Sequence, residues 1–510
     1  MNTTPVWSVN ARTGARTVQV TVEAGTEEVD RAVRAAHAAR PALADRTTRA
    51  ALLRAAAERL EARAAELIAA ADRESGLGTV RLTGELARTT HQLRAFADVV
   101  DEGAFLDVVI DHADPQAAPA PRPDLRRWRV PLGVVAVFAA SNFPFAFSVP
   151  GGDTASALAA GCPVVAKAHP DHPETSELTA GALREAAESL GLPADVLVLL
   201  HGRQAGADLV RHPLVSAAGF TGSIPGGRAL FDLAAARPAP IPFHGELGSL
   251  NPVLVTEQAA EARAEEIGVG LGGSFTLGLG QFCTKPGLVL VPAGAAGDRL
   301  EKALAAAAAE AAPGALLDTR MRAGFLAGFA ERAALPGVSV PVAAVEQPAE
   351  GLEQGVRPGY LSVPAALLTR QTHAPLLEEC FGPVTVVARY QDLAEAESVL
   401  AQLGGNLTAT LHAEPGEPGA ADLLDRLSAL AGRVLFGGWP TGVAVAPAMH
   451  HGGPYPATTS TGTSVGSTAV DRWLRPVSYQ NVPQDLLPAE LRDTVPHPLP
   501  RRVDGALQLG

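Results

Sequence analysis

VVAKAHPDHPETSELTAGALREAAESLGLPADVLVLLHG, residues 164–202, decides the fold. It opens on a short apolar run that ends in Lys167. It continues through ETSELTAGALREAAESLG, whose apolar residues recur at helical spacing, and closes on a second apolar run, VLVLLHG. A strand, a helix and a strand at this spacing form a βαβ unit, which needs a parallel sheet. The pattern extends on both sides. VVAVFAA (134–140), SAAGFTG (216–222) and PVLVT (252–256) are further strand-like runs, with AGADLVRH and GGRALFDLAAA as helices between them. Residues 128–255 therefore read as a doubly wound α/β unit. A second α/β series runs from a helical stretch at 257–271 to about 440, through PGLVLVP, FGPVTVVARY, LTATLHA and RVLFGG. Residues 27 to about 100 read as helices rich in Ala, Leu, Arg and Glu. The Pro-rich ADPQAAPAPRPD at 113–124 breaks that pattern, as a surface linker or the lead-in to a hairpin. HGGPYPATTSTGTSVGS at 451–467 reads as irregular.

Composition limits the function. The chain has 510 residues, 47% of them hydrophobic, and a formal net charge of −13, which argues against nucleic acid as the main partner. Three cysteines, Cys162, Cys283 and Cys380, make no disulfide framework and no metal-ligand spacing. The N-terminal stretch lacks the basic and apolar regions of a signal peptide. The longest apolar run is too short to span a bilayer. A reducing cytoplasm is the expected setting, with no membrane partner.

Several motifs each carry two readings. Cys283 sits in GLGQFCTKPG (278–287), behind a run of glycines and ahead of a Pro-Gly turn. It is either a nucleophile, which needs a lowered pKa, or a buried packing residue. Cys162 and Cys380 adjoin apolar runs and read as packing residues. Glu246 in FHGELGSLNP has little charge around it. It is either a general base with a raised pKa or a salt-bridged carboxylate. FTGSIPGGRAL (220–230) is either an anion-binding helix N-terminus or an ordinary turn capped by Ser223. Lys167 either meets a ligand at the carboxyl edge of the sheet or snorkels to solvent. GVGLGG (268–273) follows a helix rather than a strand and is set aside as a dinucleotide fingerprint. His450 and His451 are adjacent, so an extended chain points them to opposite faces. With no Cys or carboxylate nearby in sequence, no metal site is expected there.

The order of the segments is more specific than any one of them. SNFPF (141–145), VVAKAHP, FTGS, HGELGSLNP, GQFC and EECFGPV (378–384), in this sequence order, resemble the aldehyde dehydrogenase superfamily over nearly the whole chain. AKAHPDHPETS, GQFCTKPGLV, GWPTGVAVAPAMHHGGPYPATT and DRWLRPVSYQNVPQDLLP resemble its NADP-linked subgroup. That subgroup contains α-ketoglutaric semialdehyde (2,5-dioxovalerate) dehydrogenases and bacterial fatty aldehyde dehydrogenases.

The resemblance implies an aldehyde dehydrogenase-like α/β fold with two doubly wound domains. These would be a Rossmann-like NAD(P)-binding domain at 1–113 and 134–255 and a catalytic domain at 256–465. An oligomerisation element would comprise a hairpin at 114–133 and the tail at 466–510. It implies Cys283 as nucleophile, Glu246 as general base and Asn142 as oxyanion donor beside the Cys283 N–H. Lys167 would contact the adenosine ribose, Ser223 the pyrophosphate and Glu379 the nicotinamide ribose. Phe381, Gly227 and Phe143 complete the implied cofactor-binding set. The chemistry implied is oxidation of an aldehyde to an acid through a cysteine thiohemiacetal and thioester.

NAD-preferring members often carry Glu where this chain has Pro170, so NADP is the expected cofactor, with NAD possible. His169 or Arg203 is the expected neighbour of a 2′-phosphate. Relatives commonly have Asn at the position of Lys285, read here as exposed or as a cation beside the thiol. The expected substrate is α-ketoglutaric semialdehyde, with an aliphatic aldehyde as the alternative. A convergent arginine would favour the acidic substrate. CoA-acylating oxidation and a non-catalytic scaffold are the rival classes. A homodimer or homotetramer is expected.

Overall fold

The computed structural model describes residues 4–495 and 497–509, so the outermost positions of the expected segments 1–113 and 466–510 lie outside the described residues. Five strands form the first parallel sheet: β1 (Val134–Phe138), β2 (Val164–Lys167), β3 (Leu197–Leu200), β4 (Val215–Thr221) and β5 (Phe243–Glu246). Their order is β3-β2-β1-β4-β5. β1 is buried along its whole length, as a parallel strand covered on both faces must be. The helix α1 (Thr79–Glu102) buries Leu82, Leu86, Leu93, Phe96 and Val100, a stripe at helical spacing, and packs against the helix Arg46–Ala62 and against α2 (Gly152–Ala160). α3 (Pro173–Ser189) begins on a proline, which fits the first turn of a helix, where the missing N–H costs nothing. α4 (Ile224–Ala235) begins where Ser223 Oγ accepts from the Gly226 N–H.

The second sheet has seven strands: β6 (Val253–Val255), β7 (Leu288–Pro292), β8 (Ser339–Val342), β9 (Gly359–Pro364), β10 (Val384–Tyr390), β11 (Asn406–His412) and β12 (Ala431–Phe436). Their order is β8-β9-β10-β7-β6-β11-β12, and only β8 runs antiparallel to its neighbour. PVLVT, expected in the first unit, is β6, an interior strand of this second sheet. Fully buried apolar runs look alike in either sheet, and only the pairing with β7 and β11 assigns it. GVGLGG lies inside the helix α5 (Glu257–Thr276).

A third, five-stranded sheet joins residues 108–111, 125–131, 474–480, 501–503 and 506–508. Residues 108–111 thus leave the expected cofactor domain and pair with 125–131 across the Pro-rich segment. Among the described residues no helix is long and apolar enough to cross a membrane.

Candidate active site

Most of the predicted residues meet at the carboxyl edge of the first sheet, where an open α/β sheet offers a crevice. Lys167 ends β2, Glu246 ends β5, Ser223 follows β4 and Asn142 follows β1. The irregular segment 451–464 then pairs with the far edge of β5. Thr459 N–H donates to the Gly245 carbonyl at 3.0 Å, Leu247 N–H donates to the Ala457 carbonyl at 2.7 Å, and Thr458 bridges Glu246. This docking brings His451 into the site.

His451 Nε2 lies 2.9 Å from Glu246 Oε1 and 3.5 Å from Cys283 Sγ. Ser464 Oγ donates to Glu246 Oε2 at 2.8 Å. The expectation that His451 has no cysteine or carboxylate partner is therefore corrected: both partners are distant in sequence. Glu246, Cys283 and His451 also form the one cluster, among the described residues, whose ligand atoms lie close enough together to hold a metal ion.

The electrostatics reverse two expectations. Burial raises the Glu246 carboxyl, but the His451 charge and the bonds from His451 and Ser464 outweigh it, so the pKa is lowered rather than raised. Burial, and then the Glu246 carboxylate, push the Cys283 thiol well above its ordinary value. The resting residue is a thiol and needs a proton acceptor at the moment of attack. Asn142 is buried and donates one Nδ2–H to the Gln281 carbonyl at 3.0 Å, which leaves its second amide N–H available. Among the described residues no acceptor meets the Cys283 N–H.

Lys285 is buried, not exposed, and its hydrogen bonds go to main-chain carbonyls rather than to the thiol. Its Nζ donates to the carbonyls of Cys380 at 2.9 Å and Val384 at 2.7 Å, which ties the Cys283 loop to the loop carrying Glu379. Burial lowers its pKa. The two loops also touch at Gly280 (φ +63), where a Cβ would lie 2.2 Å from the Gly382 carbonyl oxygen. The glycine before the cysteine thus serves a loop–loop approach. Asn251 Nδ2 holds the same loop from below, donating to the Cys283 carbonyl at 2.8 Å and the Lys285 carbonyl at 2.9 Å. Asn251 was not singled out in the sequence. Its positive φ of 54° is tolerable for Asn, and SLNP is the only sequence signal for it.

On the cofactor side, burial pushes Lys167 down to about 8. Burial raises Glu379 to about 7, with Lys285 opposing. Phe381 follows on the same loop, half-buried. A Cβ on Gly227 would lie 2.1 Å from Leu247 Cδ2, and one on Gly248 would lie 2.7 Å from Glu379 Oε2. The glycines let Leu247 and Glu379 pack close to the main chain, and this side of the sheet edge combines a helix N-terminus, a lysine and a carboxylate, a set that fits a dinucleotide. Burial, and then the neighbouring His172 and Lys167, lower the His169 pKa. Arg203 and Arg320 are the cations acting on Lys167.

Phe143, expected among the cofactor contacts, lines the opposite side. A cavity of about 220 Å³ opens beside Cys283, walled by Phe143, Phe147 and Phe282 and by Arg81, Glu85 and Arg88 of α1. The Phe143 ring lies edge-on to Phe147 and Phe282, each at 5.3 Å between centroids.

Two α/β sheets bring a buried thiol, imidazole and carboxylate together beside an aromatic cavity, an arrangement suited to an α/β enzyme. The comparisons name its family. A match to the aldehyde dehydrogenase family spans residues 2–473, and the chain belongs to that family. It is an NAD(P)-dependent aldehyde dehydrogenase that takes an aldehyde substrate and a nicotinamide cofactor. It is 48% identical over 461 residues to α-ketoglutaric semialdehyde dehydrogenase 2 of Azospirillum brasilense, covering 90% of this chain and 87% of that one. It is 43% identical over 517 residues to an α-ketoglutaric semialdehyde dehydrogenase of Acinetobacter baylyi, covering 99% and 96%. In fold it is similar to 1-pyrroline-5-carboxylate dehydrogenase from Thermus with bound NAD, with a TM-score of 0.79 at 23% identity, over 94% of this chain and 90% of that one.

Proposed function

We propose that the protein oxidises α-ketoglutaric semialdehyde to 2-oxoglutarate, with NADP as the preferred cofactor. The observation that carries the substrate is the near-full-length likeness to two relatives that both bear the name α-ketoglutaric semialdehyde dehydrogenase. Cys283 Sγ adds to the aldehyde carbon, and its proton passes to the His451–Glu246 pair, which lies within reach of the thiol. The free Asn142 amide N–H and the Cys283 backbone N–H donate to the oxyanion. When bound, the nicotinamide supplies the hydride acceptor. The acyl group is left on Cys283 as a thioester. Once the thiol proton has left the pair for solvent, Glu246 is again a carboxylate; it takes a proton from water, whose oxygen adds to the thioester carbon and releases the acid as Cys283 leaves. A base retained beside the thioester supports hydrolysis over transfer to CoA.

NADP is supported at the end of β2. Pro170 stands where a carboxylate would repel a 2′-phosphate, and burial, with Asp318, pushes the neighbouring Asp171 up to about 8, so it carries little charge near neutrality. Lys167, Ser223, Gly227, Glu379 and Phe381 would hold the cofactor. The third sheet, with Leu507 exposed on its outermost strand, is the proposed contact of a homodimer or homotetramer in the cytoplasm.

The test is initial-rate NADPH and NADH formation with α-ketoglutaric semialdehyde and a medium-chain aliphatic aldehyde in parallel, with Cys283→Ala as the blank. Higher kcat/KM with the semialdehyde and NADP is expected. Preference for the aliphatic aldehyde would refute the substrate, and equal rates in the blank would refute the role of Cys283.

A further inference from the structure

Arg81, Gly84, Glu85 and Arg88 occupy one face of α1, spaced by three, one and three residues, and all four line the cavity beside Cys283. The two arginines are held by aromatic rings. The Arg81 guanidinium lies over Phe143 at 4.9 Å and over Phe282 at 4.5 Å, and the Arg88 guanidinium lies over Phe147 at 5.1 Å. Stacking fixes the planes of these groups but uses none of their N–H donors. Arg81 spends Nη2 on the Asn142 carbonyl at 2.8 Å, and Arg88 spends Nε on the Val443 carbonyl at 3.4 Å. Arg81 Nε and Nη1 and Arg88 Nη1 and Nη2 are buried with no partner.

Glu85 does not supply the missing acceptor. Its Oε1 takes the N–H groups of Phe145 at 2.8 Å and Ala146 at 3.0 Å, and its Oε2 makes no hydrogen bond. Glu85 thus lies between the two arginines without pairing with either. Buried charged donors without partners are costly, and a cavity that keeps them is completed by an anion.

We propose that Arg88, supported by Arg81, binds the carboxylate at the far end of the substrate, while the aldehyde end reaches Cys283. The assignment rests on the reading of the protein as a dehydrogenase of an acidic semialdehyde. Arg88 is the terminal anchor because both of its Nη groups are free, the fork that a carboxylate accepts in a bidentate pair. Arg81 bridges the two ends, since it also holds the main chain of the oxyanion residue Asn142. The Phe147 ring neighbours both the anchor and His451, with centroids 5.9 Å apart between the two rings. Arg88 and Cys283 line the same cavity, which a five-carbon oxo acid, about 5 Å long from aldehyde carbon to carboxylate carbon, can enter with one end toward each. A neutral aldehyde of the same length would leave the four donors unpaired. Discrimination then follows from the unpaired cations as much as from attraction to the acid.

The experiment measures kcat/KM of wild type, Arg88→Met and Arg88→Lys with α-ketoglutaric semialdehyde, succinic semialdehyde and pentanal. Each variant is also titrated with 2-oxoglutarate in the presence of NADP, and its Tm is recorded. In Arg88→Met the ratio of kcat/KM for α-ketoglutaric semialdehyde over pentanal is expected to fall about 100-fold, through KM, with 2-oxoglutarate binding lost in parallel. Arg88→Lys keeps the charge without the fork and is expected to recover part of the ratio. An unchanged ratio and unchanged 2-oxoglutarate binding in Arg88→Met would overturn the carboxylate site, whatever the wild type prefers. If wild type instead favours succinic semialdehyde and Arg88→Met removes that preference, the site stands and the named substrate falls. If Arg88→Met lowers Tm enough to obscure kinetics, the 2-oxoglutarate titration of Arg88→Lys decides, and wild-type affinity there would overturn the bidentate assignment.

Discussion

Removing the imidazole of His451 tests the reading of the catalytic cluster most directly. His451→Leu takes away the hydrogen bond to Glu246 Oε1 and the group 3.5 Å from the thiol. A hydrogen bond to a charged group contributes about 1.5–3 kcal/mol. Loss of the group that positions the proton acceptor Glu246 is expected to cost roughly 100-fold in rate. Because the two losses fall on one proton transfer and overlap, kcat at pH 7 is expected to drop about 1000-fold, or ~4 kcal/mol. His451→Gln keeps a donor for Glu246 but takes up no proton, and is expected to recover about tenfold of that loss. The sign of the pH effect follows from what holds Glu246 down. With His451 gone, burial prevails and the Glu246 pKa rises, so the carboxylate is lost as pH falls through the new value. The deficit should be larger at pH 6 than at pH 9. The assay is steady-state and single-turnover NADPH formation across that range, with the rate of Cys283 alkylation by iodoacetamide as a second readout. A kcat within threefold of wild type, with a superposable pH profile, would refute the shared-proton reading and leave His451 as a packing residue.

Three further outcomes are expected. Lys285→Met removes two buried charged hydrogen bonds to the Cys380 and Val384 carbonyls. It should destabilise the fold by ~3 kcal/mol, read as a lower urea midpoint, and loosen both loops together. Gly227→Ala puts a Cβ 2.1 Å from Leu247 Cδ2, and should cost about 1–3 kcal/mol in stability and weaken cofactor binding in fluorescence titrations. Glu379, raised to about 7, is protonated below that pH and ionised above it. Cofactor affinity should therefore rise as pH increases from 6 to 8.5, and Glu379→Gln should flatten that slope.

The parallel sheets were legible because uninterrupted apolar runs such as VVAVF alternate with amphipathic helices, and burial on both faces leaves that mark in a sequence. Cys283, Glu246 and Asn142 stood out by their settings and by segment order. Strand membership was less legible, since VLV at 253–255 carries no sign of which sheet it enters. His451 was missed because its partners lie 205 and 168 residues away, a closeness set by how segment 451–464 docks. The sign of the Glu246 shift was missed for the same reason, since the groups that lower it come from that segment. Arg81 and Arg88 were not legible: with Gly84 and Glu85 they make a polar helix face that reads in sequence as solvated, and only the cavity shows otherwise.

The docking of residues 451–464 against β5 also sets a timetable. During synthesis the cofactor sheet is complete once β5 has emerged, but one edge of that strand then has no neighbour until residue 459 follows. An open parallel edge is a template for pairing with other chains. The same contact that closes this edge delivers His451 and Ser464 to Glu246. The nascent chain therefore gains its chemistry and loses its exposed edge in one late event, and a molecule halted before it would fold its sheet yet carry an unassembled proton relay.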